Sequence, residues 1–148
     1  MLTGTFRRSV DDKLRIAIPK RFRDVIADGE TAIVLYIAPG TDGTLTLYTE
    51  ASFQRLADQL GAASPAQKDV RAFSRLFFAR AESVEVDGQG RIRIPGELAK
   101  HCPLKKEAML IGVRDRMEIW ETQKWEQYVS ENEQEYDELA EKALAPKT

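Results

Sequence analysis

Asp11-Asp12-Lys13-Leu14-Arg15-Ile16-Ala17-Ile18-Pro19 returns 76 residues later as Asp87-Gly88-Gln89-Gly90-Arg91-Ile92-Arg93-Ile94-Pro95. Asp, Arg, two isoleucines and Pro hold the same places in both copies, which points to a duplicated unit. The same offset sets Phe22 on Leu98 and the apolar run Ile33-Val34-Leu35 on Met109-Leu110-Ile111. After a four-residue contraction, Leu47-Tyr48 matches Ile119-Trp120 and Phe53 matches Trp125. Two structurally similar halves are expected.

Working outward from the motif, each half reads as strand, tight turn, strand, short helix, strand, turn, strand, helix. In the first half, strands at 5–10 and 15–18 flank the turn at 11–14, and Pro19 opens a short helix to about Ile26, because proline suits a first helical turn. Asp28-Gly29 is expected to end it. Strands at 31–37 and 44–48 surround the hairpin signal Pro39-Gly40-Thr41-Asp42-Gly43, and Thr49 can cap a helix to about Leu60. A loop at 61–65 and a helix at 66–79, with Val70, Phe73, Leu76 and Phe77 on one face, join the halves. The second half repeats the order with strands at 82–86, 91–94, 108–113 and 117–120 and a helix from Thr122.

One half is too small to bury a core alone, so the two are expected to complete each other. The expected fold is α+β, mainly a β barrel, in which two swapped-hairpin repeats interleave about a pseudo-twofold axis with peripheral helices. Its segments are a first repeat at 1–60, a connecting loop and helix at 61–80, a second repeat at 81–125, and an acidic C-terminal helix and tail at 126–148, all within one unit.

The chain has 148 residues, 43% hydrophobic and 31% charged, which suits a globular protein. Its lone cysteine, Cys102, allows no intramolecular disulfide, and with the single His101 it makes no metal-ligand cluster. Both are expected to pack or cap at a helix end. No apolar run approaches the roughly 20 residues of a membrane span, and the N-terminus has no signal-peptide pattern, so a cytoplasmic protein is expected. Net charge is −2, but residues 1–24 carry seven cations against three carboxylates, while from Glu126 onward seven carboxylates face two lysines. A basic front suggests a local anion site.

An Asp and an Arg four apart across a tight turn can meet, with the carboxylate also accepting backbone N–H groups. Gly90 supplies the positive φ such turns often need, and Ile92 and Ile94 alternate with Arg91 and Arg93 to give an apolar and a cationic face. The residues alone leave two readings open. The pairs Asp11/Arg15 and Asp87/Arg91 either merely staple hairpins or present arginines to phosphate and guanine.

The pattern Asp-x-x-x-Arg followed by Ile-x-Ile-Pro, present twice, resembles the MraZ family of bacterial transcriptional regulators. Gly4-x-Phe6, Lys13-x-Arg15-x-x-x-Pro19-x-x-Phe22-Arg23, the whole of Asp87 to Pro95, Leu98, Ile111-Gly112-Val113 and Glu118-Ile119-Trp120-Glu121 carry the resemblance. It implies a hairpin fold akin to AbrB and SpoVT and a homo-oligomeric ring. It also implies binding to short direct repeats of promoter DNA at the division and cell-wall gene cluster, including the chain's own gene, usually repressing it. Nucleoid association and the absence of a cofactor follow. The DNA contacts implied are Arg15 and Lys13, with Arg7, Arg8, Arg91 and Arg93, on loops held by Asp11, Asp87 and Gly90; Arg21 and Arg23 could extend them. The family usually has glycine where this chain has Leu14, a departure that bears on the shape of the first loop.

Catalysis is not expected, since no nucleophile sits with a base, and no Gly-rich phosphate loop or metal cluster is present. The alternative is a protein-interaction ring or antidote-like module without promoter specificity, using the acidic tail on a basic partner. Trp120 and Trp125 match Tyr48 and Phe53 and therefore read as core.

Overall fold

The computed structural model describes residues 1–27 and 32–147. The first half comprises β1 (Thr5–Ser9), β2 (Arg15–Ala17), α1 (Lys20–Ala27), β3 (Val34–Pro39), β4 (Leu45–Thr49), α2 (Glu50–Ala62) and α3 (Lys68–Arg80). The second comprises β5 (Glu82–Glu85), β6 (Arg91–Arg93), α4 (Gly96–His101), β7 (Glu107–Val113), β8 (Arg116–Glu121), α5 (Thr122–Glu133) and α6 (Tyr136–Ala143). The expected helix stop at Asp28-Gly29 and strand start at Thr31 lie outside the described residues. Thr49 caps α2 as its side-chain type predicts, its Oγ1 accepting from Ser52 N at 3.0 Å. α2 runs through Gly61 to Ala62, slightly beyond the expected loop boundary, and α3 starts at Lys68.

Six strands form one sheet in the order β1-β7-β8-β4-β3-β5, with every pairing antiparallel, and β2 and β6 form a separate two-stranded ribbon. The halves exchange strands: β1 lies on β7, β5 on β3, β4 on β8 and β2 on β6. Across the first motif turn the only β-bridge among the described residues is the isolated Val10–Ile16, and β1 and β2 take β7 and β6 as their partners, so the turn does not close a simple hairpin. The sheet is open, not the expected barrel. β1 and β5 are opposite edges of the six-stranded sheet and do not pair with each other among the described residues. Each three-residue strand after a motif turn leaves the sheet to pair with its counterpart, so the ladder that would close a barrel is diverted into the ribbon.

The register exposes the pseudo-twofold axis. Ile16 faces Ile92, its own repeat equivalent, and in the large sheet Thr46 faces Glu118, likewise equivalent. The sequence match of 33–35 on 109–111 is off by three. Val10 N donates to Lys106 O at 2.8 Å and its equivalent Val86 N donates to Ile33 O at 3.0 Å, so Leu35 corresponds to Ala108. Between the motif proline and these acceptors the second half is three residues shorter, 11 steps from Pro95 to Lys106 against 14 from Pro19 to Ile33, so most of the contraction falls before β7 rather than later in the hairpin.

Alternation along the strands makes three layers. Leu35, Ile37, Leu45, Leu47, Leu110, Met117 and Ile119 point to the inner face of the sheet, where Ile16, Ile18, Ile92 and Ile94 of the ribbon, with Phe22 and Leu98 of the short helices, complete one core shared by both halves. On the outer face Tyr36 stacks on Phe53 of α2 at 4.4 Å and Tyr48 meets Phe77 of α3 at 6.1 Å, while Trp120 meets Trp125 of α5 at 5.2 Å. Trp120 and Trp125 are thus packing residues, as their match to Tyr48 and Phe53 predicts. Ile92 lies on the axis and is 1% exposed. Ile92→Ala is expected to cost about 2–5 kcal/mol in denaturant unfolding, because a buried cavity on the axis cannot collapse without moving both halves.

Candidate nucleic-acid interface

The two motif turns are built alike. Asp11 Oδ1 accepts from Lys13 N at 3.0 Å and Arg15 N at 2.9 Å, and its Oδ2 accepts from Arg15 Nε at 2.7 Å. Asp87 repeats this with Gln89 N at 2.8 Å, Arg91 N at 3.0 Å and Arg91 Nε at 3.2 Å. Each carboxylate therefore holds both the turn and the stem of its arginine. The turns also interlock: Ile18 N donates to Gly90 O and Ile94 N to Leu14 O, both at 2.8 Å. Arg91 Nη1 reaches Asp11 at 3.8 Å, which ties the two loops across the axis.

The pairs place Arg15 opposite Arg93 and Ala17 opposite Arg91, all on one face of the ribbon, because Ile16 and Ile92 fill the other. Three arginines thus share an outward face over an apolar floor, flanked by the exposed Lys13 and Gln89 at the turn tips. The other expected contacts are elsewhere. Arg7 lies on the face of β1 toward α5 and pairs with Glu107 at 3.4 Å and Glu126 at 3.5 Å. Arg8 folds over the Phe6 ring at 5.5 Å and donates to Arg7 O at 2.9 Å. Arg21 donates to Thr3 Oγ1 at 2.9 Å.

Backbone N–H groups, first those of Arg15 and Arg91, hold the Asp11 and Asp87 carboxyls below the ordinary carboxylate range. Because the folded value is depressed, each contribution is complete above the unfolded value of about 3.9 and is lost as pH falls through the lower folded one. Amide resonances of Arg15 and Arg91 are accordingly expected to stay fixed from neutral pH down to about pH 5 and to move only below about pH 4. A midpoint near neutrality would contradict the staple. Cys102 is buried beneath β8, its thiol pushed up to about 11 by desolvation, and His101 Nε2 lies 3.1 Å from Gly40 O. Among the described residues no group of three His, Cys, Asp or Glu side chains could hold a metal.

A family model described as "MraZ protein, putative antitoxin-like" matches twice, over residues 1–76 and 77–146. The chain belongs to the MraZ family. Similar proteins named "Transcriptional regulator MraZ" include that of Alkaliphilus oremlandii, 42% identical over 96% of this chain and 96% of the relative. That of Finegoldia magna is 38% identical over 95% of this chain and 94% of the relative, and that of Salinispora tropica is 38% identical over 97% and 98%. These relatives carry the name of a regulator, not of an enzyme.

Leu14, the departure from the MraZ pattern, takes the same left-handed conformation as Gly90, with φ of 60° against 79°. Both turns therefore have one shape. The cost of a side chain there, about 1–2 kcal/mol, is offset by packing, since Leu14 is half-buried against the core. The second turn cannot do the same. A Cβ on Gly90 would lie 2.7 Å from Arg23 Cζ, whose Nε donates to Ile18 O at 3.1 Å. The repeat equivalent of Arg23 is Ala99, so bulk has moved from the helix to the turn between the two copies. Arg23, considered in the sequence only as a backbone contact, is placed by this exchange beside the second turn.

Proposed function

We propose that this chain regulates transcription by binding double-stranded promoter DNA through the outward face of the β2–β6 ribbon, with Arg15, Arg91 and Arg93 as its main contacts and Lys13 at the tip of the first turn. The observation that carries the reading is that face itself: three arginines on a two-stranded ribbon, two of them held at the stem by carboxylates. A two-stranded ribbon fits the major groove, and an arginine whose stem is already held loses little entropy on binding guanine or phosphate. Arg7 and Arg8, engaged on β1, are at most secondary contacts.

The further reading is an oligomeric ring on short direct repeats, repressing the division and cell-wall gene cluster that includes the chain's own gene, at the nucleoid in the cytoplasm. Supporting it, the two ends of the ribbon differ: Lys13, Arg15 and Arg93 lie at one end and Gln89, Arg91 and Ala17 at the other. A backbone with a twofold axis but unlike side chains suits an asymmetric site repeated in one direction better than a palindrome. No helix of the described residues is long and apolar enough to cross a membrane. Fluorescence anisotropy with DNA from upstream of the chain's own gene tests the reading: binding to the native duplex should exceed binding to a shuffled one of the same composition. Equal binding to both would favour the antidote-like reading, to which the family description and the acidic α6 lend support.

A further inference from the structure

On the sheet face opposite the ribbon, α2, α3 and the β7–β8 turn enclose a groove of about 650 Å³. Its apolar wall includes Phe73, Leu76 and Phe77, with Leu76 56% exposed and Phe73 47% exposed. Its rim carries four arginines, Arg55, Arg80, Arg114 and Arg116, against two carboxylates, Asp115 and Glu118. Arg55 and Arg116 share Asp115 at 3.5 and 3.7 Å, whereas Arg80 and Arg114 have no carboxylate within 4 Å among the described residues. An amphipathic helix with acidic flanks would fill such a groove.

The chain carries that helix. Tyr136, Leu139, Ala140 and Ala143 lie on one face of α6 at helical spacing, with Asp137, Glu138 and Glu141 beside them. Every residue of α6 is exposed except the partly covered Ala140, so its apolar face packs on nothing substantial in its own chain. A helix of eight residues is marginal in water without a partner. The spacing of Phe73, Leu76, Phe77 and Arg80 on α3 mirrors that of the α6 face, so the two helices can pack side by side with acids against arginines.

We propose that α6 of one copy docks into the α2–α3 groove of a second copy, making a head-to-tail contact whose two surfaces both remain open at the ends of any pair. Such a heterologous contact closes into a ring when its rotation allows. The inference deepens the ring reading above by naming the contact that builds it, and it leaves the ribbon face free for DNA.

The test uses full-length chains without DNA. Wild type is expected to sediment as an oligomer, and Leu76→Asp in the groove or the double change Tyr136→Asp, Leu139→Asp in α6 should each give a 16.7 kDa monomer with unchanged circular dichroism. Mixing the two variants should yield a 1:1 pair that grows no further, since only one intact groove and one intact helix remain. If the variants assemble as wild type does, or the mixture stays monomeric, the docking is wrong while the ring reading stands. A monomeric wild type overturns both. Should an aspartate variant lose its fold, Arg80→Glu is expected to weaken assembly at least tenfold and Glu138→Arg to restore it in the double variant; no restoration counts against the contact.

Discussion

Arg15→Ala is expected to lower affinity for a single promoter repeat about tenfold to a hundredfold, in keeping with the roughly 1–3 kcal/mol that a good bidentate base contact contributes. The fold should survive. The Arg15 side chain is one-third exposed, and after its loss Asp11 still accepts the backbone N–H groups of residues 13 and 15 and faces Arg91 at 3.8 Å. Arg15→Lys should recover only part of the loss, because Nε holds Asp11 while the rest of the planar guanidinium is left for DNA, a division of labour that an ammonium cannot reproduce. Arg7→Ala is the internal control. Its guanidinium is turned toward Glu107 and Glu126 on the helix side of the sheet, so its removal should change affinity by less than about threefold, in line with the small worth of exposed ion pairs. Equal losses in the two variants, measured by anisotropy on the same duplex, would remove the ribbon from the interface.

Deleting one repeat from the promoter should cost far more than altering one base pair within a repeat, which typically costs about 1–3 kcal/mol. Joined subunits each reading one repeat convert weak contacts into avidity, worth roughly a hundredfold or more when the geometry allows simultaneous engagement. The same assembly should bind with a steep salt dependence, each phosphate contact adding about −0.9 to the log–log slope, so that deleting a repeat also flattens the slope. Net charge of −2 gives the chain no general attraction to DNA, so on the proposed reading its affinity comes from the local cations of the ribbon. A slope and an affinity indifferent to repeat number would mean that one subunit binds alone. The titration needs duplexes carrying the full set, one fewer and a single repeat, each measured across a salt series.

Local chemistry was readable along the chain to the extent that it depends on neighbours. The staple between Asp11 and Arg15, and that between Asp87 and Arg91, is made by groups four residues apart, and the spacing alone predicts it. Thr49 as a cap and the alternation of isoleucine and arginine follow from the same short-range rules, and the packing of Trp120 against Trp125 follows from their match to Tyr48 and Phe53 in the other repeat. Leu14 is less legible, because the local cost of φ near 60° is fixed by the residue itself, whereas the packing that offsets it comes from side chains distant in the chain. At the equivalent Gly90 the space is instead taken by Arg23. The misplaced match of 33–35 had a related cause. Apolar runs of similar length align in several registers, and only the bonds from Val10 and Val86 choose one.

Duplication, the turn chemistry and the types of most elements were therefore set by the amino-acid order, since each rests on residues close in the chain or on a repeat that can be counted. Which strands pair was settled only by folding in three dimensions. That the halves interleave was expected from their size, but the particular pairing of β1 with β7 and of β5 with β3, the open sheet in place of a barrel, and the setting of Arg15 beside Arg93 and of Arg7 beside Glu126 all join residues far apart in sequence. Strand pairing saturates the same backbone N–H and C=O groups whichever partner is chosen, so local sequence is nearly silent about the choice; the burial of Ile16 against Ile92 on a common axis decides it.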